Sequence, residues 1–250
     1  MAKTYTFRDA WDLVRRQVRS DIEADHTISI CNLALNEVWN SFDWRVSLSV
    51  LPPFYLIPSE QDHGAPAVSV PSDFQGLREA WLVFLTSEPA YRVELSVMKD
   101  LRLTHYRSIP HAIAYEPSKS SFRLFPRTPE SFTAPNYVVD GIYKKLPVKV
   151  TSTSFPATTL PFDDVYFSAM VEAVKWAALR TMGSEVAGGV QIRNNGARAY
   201  VGQYAVMKER LEEMAQTEAV DLGNPSIAPR DSYPRARLGG VSSAVNLYNY

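Results

Sequence analysis

The chain has 250 residues, 46% of them hydrophobic and 21% charged, with a formal net charge of -1. That length and composition suit one sizeable cored domain or two small ones. The near-neutral charge excludes a whole-protein field that draws in nucleic acid, so any DNA contact rests on a local patch created by folding or assembly.

Phe7, Trp11, Val14 and Val18 step by four, three and four, which places them on one face of a helix. Ser20 and Asp21 break the pattern, and a second stripe runs Ile28, Cys31, Leu35, Val38, Phe42. Two amphipathic helices with a short connection predict an antiparallel hairpin that needs a third partner to cover it. Cys31, within the second stripe, reads as a small buried hydrophobe rather than a reactive thiol. As the sole cysteine it permits no intramolecular disulfide and no cysteine-built zinc site.

From Trp44 to about Phe155 the texture becomes period-two and β-branched. Strands are predicted at Arg45–Leu51, Ala67–Val70, Arg78–Leu85, His111–Tyr115, Ser121–Phe125 and Tyr137–Lys144, and a short helix within Leu95–Tyr106. Prolines recur through this stretch, Pro52, Pro53 and Pro58 among them. Proline lacks a backbone donor, so these are expected at strand ends and turns of an antiparallel sheet or small sandwich.

Helical periodicity returns after Pro161-Phe162-Asp163-Asp164, a helix start whose acids suit the first-turn donors. Val165, Ala169, Ala173, Trp176 and Ala177 form its stripe, and Gly183 its stop. Tyr200, Tyr204, Met207, Leu211 and Met214 mark a longer last helix, with Lys208, Glu209, Arg210, Glu212 and Glu213 on its polar face. Residues 221–250 carry no period. Burying their nine large apolar side chains contributes roughly 14–27 kcal/mol. Fixing thirty backbones costs about 30–60 kcal/mol. Such a segment stays disordered or is laid along another surface.

The expected fold class is α+β. A helical bundle forms from the N- and C-terminal helices, with an inserted antiparallel β domain and an extended C-terminal tail. The corresponding divisions are 1–43, 44–156, 157–220 and 221–250.

Chemistry-bearing motifs are sparse. No phosphate-cradling glycine loop precedes a helix, and no paired histidines stand at metal spacing on one. His26, His63, His105 and His111 fall in unrelated contexts. Asp163 and Asp164 read as helix-capping acids rather than a catalytic pair, because adjacent helical residues point apart. Gly188-Gly189 and Asn194-Asn195-Gly196 read as a helix–helix connection. Arg15, Arg16 and Arg19, and Lys144, Lys145 and Lys149, read as surface charge, without the aromatic platform of a single-strand binder. No catalytic, cofactor-binding or metal residue is assigned, and no cofactor is expected. No apolar run approaches the roughly 20 residues that cross a bilayer, and no membrane partner is expected. The first residues lack a signal peptide's apolar core, so the reading is a soluble product of a reducing compartment.

The order of several fragments resembles a known family. Leu35-Asn36-Glu37-Val38-Trp39-Asn40-Ser41-Phe42-Asp43-Trp44 closes a helix pair, and Val70-Pro71-Ser72-Asp73-Phe74 precedes the strand around Trp81. Tyr115-Glu116-Pro117, Phe122-Arg123-Leu124-Phe125-Pro126 and Tyr143-Lys144-Lys145-Leu146-Pro147 follow. Leu160-Pro161-Phe162-Asp163-Asp164 then opens the last helices. This series is similar to the head-to-tail adaptor (connector) proteins of short-tailed bacteriophages.

The resemblance implies a non-enzymatic virion subunit at the neck. It implies a homo-oligomeric ring, usually of twelve copies, below the portal protein, with the helices toward the portal and the β domain toward tail nozzle or tail tube proteins. The ring adds on after genome packaging, in the host cytoplasm, and double-stranded DNA passes through without sequence-specific binding. The seven residues Arg230, Tyr233, Arg235, Arg237, Leu238, Tyr248 and Tyr250 become docking contacts to the portal or a neighbouring subunit. Arginine and tyrosine are interface-anchoring types. Another neck or tail-completion subunit, an enzyme with an unrecognised site and a nucleic-acid-binding regulator remain alternative readings.

Overall fold

The computed structural model describes residues 4–18, 24–64, 68–86, 90–132, 134–162, 164–182 and 196–221. The chain divides into two compact units, Met1–Val46 with Pro147–Tyr250, and Ser47–Leu146. The class is α+β.

Among the described residues the first unit holds four α-helices, α1 Phe7–Val18, α2 Ala24–Ser41, α3 Phe167–Met182 and α4 Gly196–Asp221. Thr6 and Asp9 start α1 reciprocally. The Asp9 amide donates to Thr6 Oγ1 at 3.2 Å, and the Thr6 amide donates to Asp9 Oδ2 at 2.8 Å. Two first-turn donors that the helix cannot satisfy are thereby capped. The α1 stripe is buried as its period requires, and it shares one hydrophobic core with side chains of the other three helices. On α2 the buried set is shifted from the expected stripe: Ile28 is only half-buried, while Ile30, Ala34 and Trp39 join Cys31, Leu35 and Val38 in the core, because the helix is covered over a wider arc than a lone hairpin partner needs. Asn32 ties this helix to the returning chain. Its amide donates to Val150 O at 2.8 Å and accepts from the Val150 amide at 2.9 Å. Trp44, fully buried, donates its indole N–H to Val38 O at 2.6 Å and meets Phe42 and Phe162 edge-on. A buried tryptophan needs such an acceptor.

The second unit is a seven-stranded sheet of β1 Leu48–Tyr55, β2 Asp62–Gly64, β3 Phe74–Phe84, β4 Tyr91–Met98, β5 Ala112–Glu116, β6 Ser121–Phe125 and β7 Tyr137–Lys145. Their order is β1-β7-β3-β4-β5-β6-β2. The sheet is mixed, which corrects the antiparallel expectation: β4 and β5 run parallel, Ser96 opposite Ala112 and Met98 opposite Ala114. A parallel pair needs a crossover instead of a tight turn, and residues 99–111 provide it. The same segment corrects the helix expected within Leu95–Tyr106. Tyr91, Val93, Leu95 and Val97 alternate along β4, while 101–106 is irregular. Leu95 is buried in the main core and Leu101 in a separate small cluster, with Met98 exposed, so the three do not share one helical face. No strand forms over Val68–Val70.

Pro52 and Pro53, expected at a strand end, lie inside β1. That strand is a sheet edge, and the register shifts between Leu51 and Phe54, so neither proline is asked for a ladder bond. Lys144, read as surface charge, is buried because β7 lies between β1 and β3. The core of this unit is largely aromatic, with Phe122 stacked on Phe54 at 5.4 Å and Phe74 in contact with Tyr115, Phe122 and Tyr143.

Candidate interaction surface

The crossover after β4 carries a concentrated run of exposed apolar side chains. Val97 and Met98 end the strand 37% and 49% exposed, and Leu103 and Tyr106 stand 70% and 68% exposed. Below them Leu101 is buried in a small cluster with Ala112, Ala114 and Phe125. Ala112 and Ala114 flank Ile113, which belongs to the main core, so strand alternation puts this cluster on the sheet's other face.

The loop is held by its backbone. Gln61, only 5% exposed, donates from Nε2 to Arg102 O and accepts from the Thr104 amide through Oε1, both at 2.9 Å. The Arg127 amide donates to Tyr106 O at 3.1 Å, and the Ser108 amide to Arg127 O at 3.0 Å. Arg107 pairs with Glu130.

Arg123, on β6 and 8% exposed, supplies a further tie by donating from Nη1 to Leu101 O at 3.0 Å. Its Nε and Nη2 grip the Asp62 carboxylate at 2.6 and 3.1 Å, and Lys119 reaches the same group at 2.7 Å. Hydrogen bonding from Arg123 is the largest cause that holds the Asp62 carboxyl down at about 2, with burial opposing it. A planar guanidinium fixed by a bidentate carboxylate has little freedom, so its remaining N–H holds the loop carbonyl in place. Next to it His63 is fully buried. Its Nδ1 accepts from the Ile57 amide at 3.3 Å, and its Nε2 has no partner among the described residues. Burial pushes this imidazole down to about 4.

The result is apolar side chains presented to solvent from a backbone that is not free to collapse over them. Isolated exposed hydrophobes are ordinary, but a cluster on a pinned loop is the make-up of a protein contact site.

All seven residues expected to dock, Arg230, Tyr233, Arg235, Arg237, Leu238, Tyr248 and Tyr250, lie outside the described residues, as do Asp163, Gly188 and Gly189. His105 and His111 are exposed on the crossover and His26 on α2, while His63 is buried, so folding does not gather the four. Burial pushes the Cys31 thiol up to about 12, as suits an inert core position. Among the described residues no group of three potential ligands is placed to hold a metal, and no helix is long and apolar enough to cross a membrane. Sequence reasoning missed Leu103 and Tyr106 because it placed them in a short helix, and apolar residues in such a stretch look the same whether they face a core or solvent.

Two separately cored units, one of them carrying a rigid apolar loop, point to a structural subunit that acts by contact with other proteins. Residues 5–230 match the family described as SU10 adaptor protein, and the chain belongs to that family. It is therefore a phage adaptor protein with a structural place in the virion. No curated protein matches the chain.

Proposed function

We propose that this adaptor forms a ring at the head–tail junction, below the portal, and joins head to tail while continuing the DNA channel. Twelve copies match the usual symmetry of such rings. The helical unit serves the portal side and the sheet unit the tail side, with the pinned loop bearing Leu103 and Tyr106 as the contact for a tail nozzle or tail tube protein. Residues 221–250 dock to the portal or a neighbouring subunit through Arg230, Tyr233, Arg235, Arg237, Leu238, Tyr248 and Tyr250. The near-neutral net charge suits a channel that passes DNA without gripping it, since each neutralised phosphate adds affinity.

The observation that carries the tail-side assignment is the loop: its backbone is fixed by buried Gln61 and Arg123, while its apolar tips stay in solvent. The family match supports the wider reading. The test is a double variant, Leu103→Asp with Tyr106→Asp, compared with a chain ending at residue 220. Both keep the wild-type circular dichroism spectrum. The loop variant retains portal binding and loses tail attachment; the truncated chain does the reverse. Tail attachment unchanged in the loop variant rejects the loop's role. Co-purification with tail proteins and never with portal replaces the reading by that of a tail-completion subunit.

A further inference from the structure

The turn that leads into Gln61 is strained, and it is held by a residue far along the chain. Between β1 and β2, Ile57-Pro58-Ser59-Glu60 closes with the Glu60 amide donating to Ile57 O at 3.2 Å. Ser59 follows a proline and stands at φ 62°. That is the type II pattern, whose third position favours glycine because a Cβ is crowded there. A serine persists in this backbone region only where its surroundings leave the turn no alternative.

Thr128, fully buried just after β6, supplies that constraint. Its hydroxyl oxygen lies 2.7 Å from Ile57 O and 2.8 Å from Glu60 O, so one proton serves both ends of the turn. Its amide also donates to Glu60 O, at 3.2 Å. Gln61 comes next in the chain, with its carbonyl accepting from the Leu124 amide at 2.9 Å. The side chain that reaches Arg102 O and the Thr104 amide therefore starts from a backbone whose direction the turn sets.

We propose that Thr128 is a positioning residue for the crossover loop, acting through the 57–60 turn and Gln61. The hydroxyl keeps the turn closed, the turn aims Gln61, and Gln61 holds the loop backbone. The consequence for tail attachment rests on the docking reading of the loop given above. Removing the hydroxyl leaves no carbonyl of the turn without a donor: Ile57 O keeps the Glu60 amide, and Glu60 O keeps the Thr128 amide. The change is thus confined to the aim of Gln61.

The experiment compares Thr128→Val with Thr128→Ser in the full chain, by amide hydrogen exchange and by tail attachment in assembled particles. In the valine variant the Thr104 amide exchanges roughly fivefold faster, while β3 and β7 keep their protection and tail attachment falls. The serine variant, which retains the hydroxyl, behaves as the native chain. Adding Ser59→Gly to Thr128→Val recovers part of the lost protection, because glycine takes that backbone region without crowding. Unchanged exchange at Thr104 in the valine variant overturns the relay, whatever happens to tail attachment. Faster exchange throughout the sheet unit, or loss of its fold, makes Thr128 a general support and also overturns it. Faster exchange confined to the loop with full tail attachment upholds the relay and overturns the loop's docking role.

Discussion

Replacing Gln61 by alanine removes both hydrogen bonds that hold the loop at Arg102 and Thr104. Each such bond contributes a net 0.5–1.5 kcal/mol or so, and water can reach part of the loop, so the summed loss is about 2 kcal/mol. Two units of separate core make a single global unfolding energy a poor measure of it. Amide hydrogen exchange at Thr104 reads the loop directly. A local opening made easier by about 2 kcal/mol exchanges roughly thirtyfold faster. Gln61→Glu is the control, because its carboxylate still accepts from the Thr104 amide but no longer donates to Arg102 O. Thr104 therefore stays protected in the glutamate variant and loses protection in the alanine one. If exchange at Thr104 is the same in Gln61→Ala as in the native chain, the loop is held by something other than this side chain. The role given to Gln61 in fixing the loop then fails.

His63 gives a pH signature. Its folded value of about 4 lies below the usual 6.5, so the unfolded chain takes up the proton first. Its contribution is complete above about pH 6.5 and is lost as pH falls toward 4, for a total of about 3 kcal/mol. Urea midpoints measured across that window should fall in the native chain and flatten in His63→Phe; an unchanged slope refutes the assignment. At Gly141 an added Cβ lies 2.5 Å from Glu79 O and 3.3 Å from the Ala80 Cα, both on the neighbouring strand. Gly141→Ala should cost about 2–3 kcal/mol by denaturation. Gly76→Ala, whose Cβ meets nothing within 4 Å among the described residues, should stay within about 0.5 kcal/mol, and equal effects at the two sites would refute the steric account.

Helix α1 was legible from the sequence because its signal is local: Phe7, Trp11, Val14 and Val18 repeat at the helical period, and one buried face follows. Strands β3, β5, β6 and β7 were visible for the same reason, through alternation and β-branching. β4 was not, because the stretch from Leu95 onward read as a short helix, whereas Tyr91, Val93, Leu95 and Val97 alternate along a strand. Only the place beside β3 decides between them. The prolines of β1 and the buried Lys144 are likewise unreadable until strand order says which strand is an edge and which lies inside.

The candidate surface shows the limit most sharply. Gln61 and Arg123 look like ordinary polar residues of a turn and a strand, yet they hold backbone groups about forty and twenty positions away. Periodicity in a chain encodes which way a side chain points within its own element. What it meets there depends on partners brought close by the whole fold, and that information is absent from any local window.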